Sequence, residues 1–489
     1  MPPVAAGLLV FFASAAVLVL EILAGRLLAP YVGVTLQTYT GIIGTVLAGI
    51  SLGSWYGGKL ADRVDPRRLL GPILVAGGIL SLLTAPLVAL FGAGLAGGGP
   101  VAVVLLALVG FFAPAAVLSA VTPTVAKLQL DSLGETGSVV GRLSALGTAG
   151  AIVGTFVTGF LLVAAAPTRP LIAGVGLALL VAGTVVWRWL RPRGDRAPAG
   201  VALLALLAAG LSVAVGSPCD DETVYYCARV VRDPGNPSGR VLWLDTLRHS
   251  YVDLRDPERL VFGYAQVFGD VLSTLRPAGA PLDALHIGGG GFTFPRYLAR
   301  TRPGSDSVVL ELDPGIVQIA RRDLGLRTGP HLRVRVGDAR FGVRRQPDDA
   351  HDLVVGDAFG GLAVPWHLTT VEFLSQVRRT LRPDGVYLLN LIDYPPLGFA
   401  RAETATLSRV FDHVAVVAPA AQLRGRLGGN FVLVASDAPI DVAGIEQAGA
   451  ARGGDEQVLS GAALGRFAGR APVLTDDYAP VDQLLTVPY

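Results

Sequence analysis

Charge is what this chain has least of. Asp, Glu, Lys and Arg make up 16% of its 489 residues and hydrophobic residues make up 52%, whereas soluble domains carry about 25% charged residues. That balance argues against a single soluble enzyme and for a membrane portion. The formal net charge is only +2, so no strongly basic face is implied and no nucleic-acid partner is expected. Cysteine is nearly missing as well: Cys219 and Cys227 are the two it has. No Cys/His spacing of the zinc type occurs, so no metal ligands are expected. The third glycine of the dinucleotide-binding turn is also lacking, since Thr293 stands in its place. A diphosphate ligand is therefore disfavoured against an adenosyl compound without one.

What is there divides at about residue 217. Long apolar runs fill the first part, near Val4–Ala24, Tyr39–Leu60, Leu69–Phe91, Val101–Val121, Val140–Ala164, Leu171–Trp189 and Gly200–Gly216. Each approaches the roughly 20 residues that cross a bilayer, the last being the shortest. About seven spans in an all-α membrane bundle are expected over residues 1–217. The first run has no positive leader and further spans follow it, so it reads as a span and not as a cleaved signal. Lys59, Arg63, Arg67 and Arg68, then Lys127 and Arg142, then Arg188, Arg191, Arg193 and Arg196 fall in alternate loops. The positive-inside rule puts those loops in the cytoplasm. With seven crossings, everything after Ser217 lies outside a plasma membrane. The two cysteines flank the exit from the last run, which suits a disulfide in an oxidising compartment. Glu21 sits within the first run: an intramembrane acid is a functional candidate, and pairing with Arg26 near the interface is the plainer reading.

Residues 218–282 change character. Thr223–Val231 and Arg240–Leu254 are rich in Tyr, Val, Leu and Trp and are separated by DPGNPSG at Asp233–Gly239. A small antiparallel sheet is expected, followed by a helix over Leu260–Leu275. From residue 283 onward strands and helices alternate, which predicts an α/β Rossmann sheet. Its first unit is LHIGGGGFTFPRYLARTRPGSDSVVLELD at Leu285–Asp313. The spacing predicts a strand over Ala284–Ile287, a glycine turn over Gly288–Gly291, a helix over Phe294–Arg300 and a strand over Val308–Leu312. Gly288 and Gly290 let a ligand approach the backbone, and Glu311 is placed to bond a ribose hydroxyl. Further strands are expected at Leu332–Val336, ending in Gly337-Asp338-Ala339, and at Asp352–Gly356, ending in Asp357. A helix over Thr369–Leu381, a turn over Arg382–Gly385 and a strand over Val386–Ile392 follow. Ligands bind outside the carboxyl ends of such strands, so Glu311, Asp338 and Asp357 should share one mouth. Each acid alone is equally explained as a helix or turn cap. His367, in PWHLTT, reads first as an ordinary loop histidine and second as a residue that approaches the Asp357 site.

These residues resemble the spermidine synthase (polyamine aminopropyltransferase) family, in particular its membrane-fused members. The likeness covers Tyr225–Asp393 and Leu474–Leu484. RVLWLDTLRHSYVD at Arg240–Asp253 is similar to the family's entry hairpin, HIGGGG at His286–Gly291 to its glycine loop, and LELD at Leu310–Asp313 to its ribose-binding segment. LTDDYAPV at Leu474–Val481 is similar to the tail of the membrane-fused branch, and GGKLADRVDPRR at Gly57–Arg68 resembles a short basic loop of the major facilitator transporters. The resemblance implies a class I methyltransferase-like Rossmann domain. It also implies a site with Asp357 and Tyr264 as catalytic residues. Gly288, Gly290, Glu311, Asp338 and Ala339 would hold the adenosyl group. The reaction implied is aminopropyl transfer from decarboxylated S-adenosylmethionine, a co-substrate and not a covalent cofactor, to a small-molecule amine. The partners implied are the lipid bilayer, the amine and the adenosyl ligand; homo-oligomerisation stays open.

The likeness is closer on the adenosyl side than on the amine side. Gly291 and Gly360 stand where the family keeps acids, Ala265 where it has a histidine and His249 where it has a glutamine. Three readings follow: an aminopropyltransferase-like enzyme with a degenerate diamine site, a non-catalytic nucleoside- or polyamine-binding domain on a transporter-like bundle, or another S-adenosylmethionine-dependent transferase.

Overall fold

The structure is a computed structural model describing all residues except 131–135, 191–198 and 487–489. The expected cytoplasmic arginines Arg191, Arg193 and Arg196 lie outside the described residues. The chain forms two compact units, Met1–Ala228 with Leu244–Thr246, and Arg229–Trp243 with Leu247–Pro488.

The first unit is helical. Six helices are long and apolar enough to cross a membrane: Pro3–Val32, Leu36–Arg63, Pro66–Leu95, Gly99–Gln129, Thr136–Ala165 and Thr168–Leu190. The seventh expected span is a shorter helix, Ala199–Ala214, of 16 residues, which rises only about 24 Å. Six spans are thus evident by length and composition, one fewer than expected. Glycines bring the long helices together. A Cβ on Gly53 would lie 1.9 Å from the Ala116 carbonyl oxygen, and one on Gly150 would lie 2.1 Å from that of Phe11. Only glycine permits backbones to approach so closely. Large apolar side chains also point away from the bundle, among them Phe12, Leu47, Leu90, Phe160 and Leu206. A helix apolar on every side suits lipid better than water. Glu21 lines a cavity of about 400 Å³ with Arg26, Tyr39 and Asp245. Arg26 donates to the carbonyl oxygens of Val163 and Thr223. The Cys219–Cys227 disulfide is formed, and strand β1 (Asp221–Glu222) pairs antiparallel with the start of β2 (Cys227–Asp233).

The second unit contains the rest of β2, strand β3 (Asn236–Leu244) as far as Trp243, and β4 (Leu247–Asp253), side by side in chain order. The stretch Arg240–Leu254 is therefore two strands turning at Asp245-Thr246. The helix that follows is Gly263–Thr274.

An eight-stranded sheet comes next: β5 (Asp283–Ile287), β6 (Asp306–Glu311), β7 (Leu332–Val336), β8 (His351–Gly356), β9 (Leu381–Asp393), β10 (His413–Pro419), β11 (Gly429–Ser436) and β12 (Glu456–Ser460). Their order is β12-β10-β11-β9-β8-β5-β6-β7. Strands β5 to β9 are parallel neighbours, and β10 to β12 add antiparallel pairs. Strand β8 is buried along its whole length, as both faces of a parallel sheet are covered by helices. From β5 the chain winds outward one way through β6 and β7, then returns to the other side of β5 at β8. The crevice between the carboxyl ends of β5 and β8 is the switch point at which such sheets bind ligands.

The expected turn Arg382–Gly385 lies inside β9. Leu381 pairs with His351 and Val386 with Leu353, so the intervening residues bulge out of the ladder. The predicted helix Thr369–Leu381 forms as Val371–Thr380, with the Thr370 hydroxyl accepting from the Phe373 N–H.

Candidate functional site

The glycine turn ties the two central strands together. The Asp357 N–H donates to the Ile287 carbonyl at 2.8 Å and the Gly288 N–H to that of Leu310 at 2.9 Å. Gly288 has a φ of +94°, and a Cβ there would lie 2.3 Å from the Asp357 carbonyl oxygen. This position needs glycine for both conformation and space.

Glu311, at the end of β6, closes on the same turn. Its Oε2 accepts from the Gly289 and Gly290 N–H groups at 2.8 and 3.1 Å, and its Oε1 from the Asp313 N–H at 2.9 Å. Burial pushes its carboxyl up, and the three N–H donors oppose that shift. An ionised carboxylate offers about four lone-pair sites, so one stays available to a sugar hydroxyl. Asp338 caps the short helix Ala339–Arg344, accepting from the Arg340 N–H at 2.7 Å. Its other oxygen lies 3.3 Å from His367 Nε2. His367 thus stands against Asp338, at the end of β7, and Ala339 is buried behind the acid.

Asp357 follows β8 directly. Its Oδ1 accepts from Asn390 Nδ2 at 2.8 Å and its Oδ2 from the Tyr264 hydroxyl at 3.2 Å. Removal from water raises its pKa to about 6, moderated by those two donors. Burial and the neighbouring carboxylate raise Tyr264 well above its ordinary value, so it stays a neutral donor. Asn390 in turn accepts from Asn430 Nδ2 at 2.9 Å. A cavity of about 370 Å³ opens here, with Arg248, His249, Tyr264, Asp357, Asn390 and Asn430 in its wall. Burial holds His249 neutral, lowering it to about 4. A Cβ on Gly290 would lie 2.8 Å from the His249 ring, so the hairpin and the glycine turn share a wall.

The tail is part of the same end of the sheet. Asp476 pairs with the Arg340 guanidinium and accepts from the Thr370 hydroxyl at 2.7 Å. Arg340 also donates to the His367 carbonyl at 2.7 Å. LTDDYAPV therefore braces the helix that Asp338 caps.

All seven expected residues fall in this region: Gly288, Gly290, Glu311 and Asp357 converge at the crevice, Asp338 and Ala339 stand beside it at β7, and Tyr264 covers Asp357. Sequence reasoning missed Asn390, Asn430 and Arg248. An asparagine inside the apolar run VYLLNLID was the available signal for the first; a buried amide is kept where it has partners.

Five parallel strands within an eight-stranded sheet, a glycine turn at their switch point, acids at successive strand ends and a β-hairpin on the same mouth define a methyltransferase-like Rossmann fold. No family model matches the chain. Individual proteins do. Over 165 residues it is 32% identical to a polyamine aminopropyltransferase of Vibrio vulnificus, covering 33% of this chain and 50% of that protein. Over 161 residues it is 29% identical to a polyamine aminopropyltransferase of Chromobacterium violaceum, covering 33% and 60%. The crystal structure of a probable spermidine synthase from Corynebacterium glutamicum superposes with a TM-score of 0.50 at 27% identity, covering 56% of this chain and 100% of that one. The chain spans about half the length of the curated relatives it matches. The chain is spermidine synthase-like, carrying the homology and the methyltransferase-like fold of the polyamine aminopropyltransferases.

Proposed function

We propose that this protein is a membrane-anchored aminopropyltransferase-like enzyme whose C-terminal half lies on the outer side of a plasma membrane. It moves an aminopropyl group from decarboxylated S-adenosylmethionine to an amine. The observation that carries the reading is Asp357. It stands at the switch point beside the glycine turn, both oxygens fixed by neutral donors, with a pKa raised to about 6. A carboxylate in that state is a better general base near neutrality than an ordinary aspartate.

In the reaction, Gly288 and Gly290 admit the adenosyl group, Glu311 takes a ribose hydroxyl, and Asp338 with Ala339 borders the base. Asp357 accepts a proton from the attacking amine and holds its nitrogen in line. The nitrogen lone pair forms a bond to the carbon on the sulfonium, and the carbon–sulfur pair leaves as a neutral thioether. Tyr264 and Asn390 keep Asp357 oriented, since alignment of the two reactants is itself a large part of such a rate.

The test is the purified full chain, offered decarboxylated and ordinary S-adenosylmethionine with amines. Thioether release from the decarboxylated donor is expected, and Asp357→Asn should lower it about 10²–10⁴-fold while donor binding persists. Tight donor binding with no turnover under any amine would leave a binding protein; transfer of methyl from the ordinary donor would make it a methyltransferase.

A further inference from the structure

The cavity beside Asp357 has a charge pattern of its own. Among the described residues that line it, Asp357 is the one carboxylate and Arg248 the one cation. His249 adds no charge, because burial holds it at about 4. Asn390 and Asn430 add only dipoles, and they are joined to each other and to Asp357. The Arg248 guanidinium stands 5.4 Å over the Phe262 ring, at the exposed rim. Asp233 also feels the Arg248 charge, but its oxygens accept from the Gly235 N–H and the Tyr251 hydroxyl.

A diamine carries a cation at each end. Here one end would meet Asp357 and the other would meet amides or another cation. A second cation beside the Arg248 guanidinium meets like-charge repulsion, with no carboxylate in the lining to offset it. A molecule with one amine and one anionic group is complementary in charge to both, with the amine on Asp357 and the anion on Arg248. Arginine suits that role because its planar fork binds a carboxylate through two parallel hydrogen bonds.

We infer that the acceptor is an ω-amino acid, with a primary amine at one end and a carboxylate at the other, and not a diamine. This rests on the aminopropyl-transfer reading above. The amine nitrogen bonds to the donor carbon, the carbon–sulfur pair goes to sulfur, and the amine proton passes to Asp357. The product is an N-aminopropyl amino acid and a neutral thioether.

The experiment uses the full-length protein with decarboxylated S-adenosylmethionine and either 4-aminobutyrate or 1,4-diaminobutane. It reads thioether release and the mass of the product. We expect kcat/KM for 4-aminobutyrate to exceed that for the diamine by at least tenfold. Arg248→Glu should reverse the preference, changing the ratio of the two by at least 100-fold, while Arg248→Lys keeps its direction. A folding defect would lower both rates alike, so a ratio that Arg248→Glu leaves unchanged overturns the assignment. A wild-type preference for the diamine overturns it too and leaves aminopropyl transfer standing. Thioether release with neither acceptor, nor with any other amine, brings down both readings.

Discussion

Asp357 is asked to be ionised in a place that disfavours ionisation. Burial raises its carboxyl to about 6, and the donors Asn390 and Tyr264 pull it back. In the reaction proposed above the base is the ionised form, so activity belongs above the pKa. The acidic limb of kcat/KM should rise through about pH 6, roughly two units above an ordinary aspartate. Asn390→Ala removes a donor that favours the charged form, so this limb should move to higher pH in a rate profile. A limb that stays put would mean that another group titrates. At this scale the sequence was partly legible. Tyr264 is reached through the family resemblance, and Asp357 stands out because it ends a strand. Asn390 and Asn430 do not, because their partnership depends on register. Asn390 pairs with Val432 and Ile392 with Asn430 across β9 and β11, which puts both amides on one face. No local pattern announces which residues of two distant strands will face each other.

The elements that position the site are held by two devices of different legibility. The glycine turn was evident, since a run of four glycines after an apolar strand has few other uses. Gly288→Ala would force a side chain into a left-handed conformation, about 1–3 kcal/mol, and against the Asp357 carbonyl. A loss of at least that size in denaturant unfolding, with donor affinity falling alongside, is expected. The role of the tail was not legible beyond its resemblance, because the Arg340 and Thr370 side chains that Asp476 meets lie more than a hundred positions earlier. Asp476 is partly exposed, with 39% of its side chain accessible, so its pair with Arg340 is discounted to about 1 kcal/mol. Asp476→Ala should therefore cost little stability. It should raise the donor KM several-fold with kcat nearly unchanged, because the contact braces the helix that Asp338 caps. An equal effect on the acceptor KM would count against that assignment. The bulge Arg382–Gly385 shows a third case. Its proline, aspartate and glycine read as a turn, and the ladder with β8 resumes on the far side of it.

For the whole molecule, side of the membrane follows from the parity of the spans. On the orientation proposed above, the loops with Lys59, Arg63, Arg67 and Arg68 and with Lys127 and Arg142 are the cytoplasmic set. Six crossings return the chain to the side where it began, and a seventh takes it across. The helix Ala199–Ala214 has no charged residue, yet its rise of about 24 Å is short of a hydrocarbon core of about 30 Å. Local thinning of the bilayer accommodates such a mismatch at modest cost. The Cys219–Cys227 pair, if oxidised in the cell, would weigh on the same side, since cytosolic thiols are kept reduced. With no other cysteine in the chain, a membrane-impermeant thiol reagent reads this directly. In intact cells we expect no labelling until a reductant is added outside, and labelling of both residues afterwards. That result gives seven crossings and an external site, to which the adenosyl donor must be delivered. Thiols that label only once the membrane is opened, with no reductant needed, would give six crossings. The C-terminal half would then share the cytosol with the proposed donor.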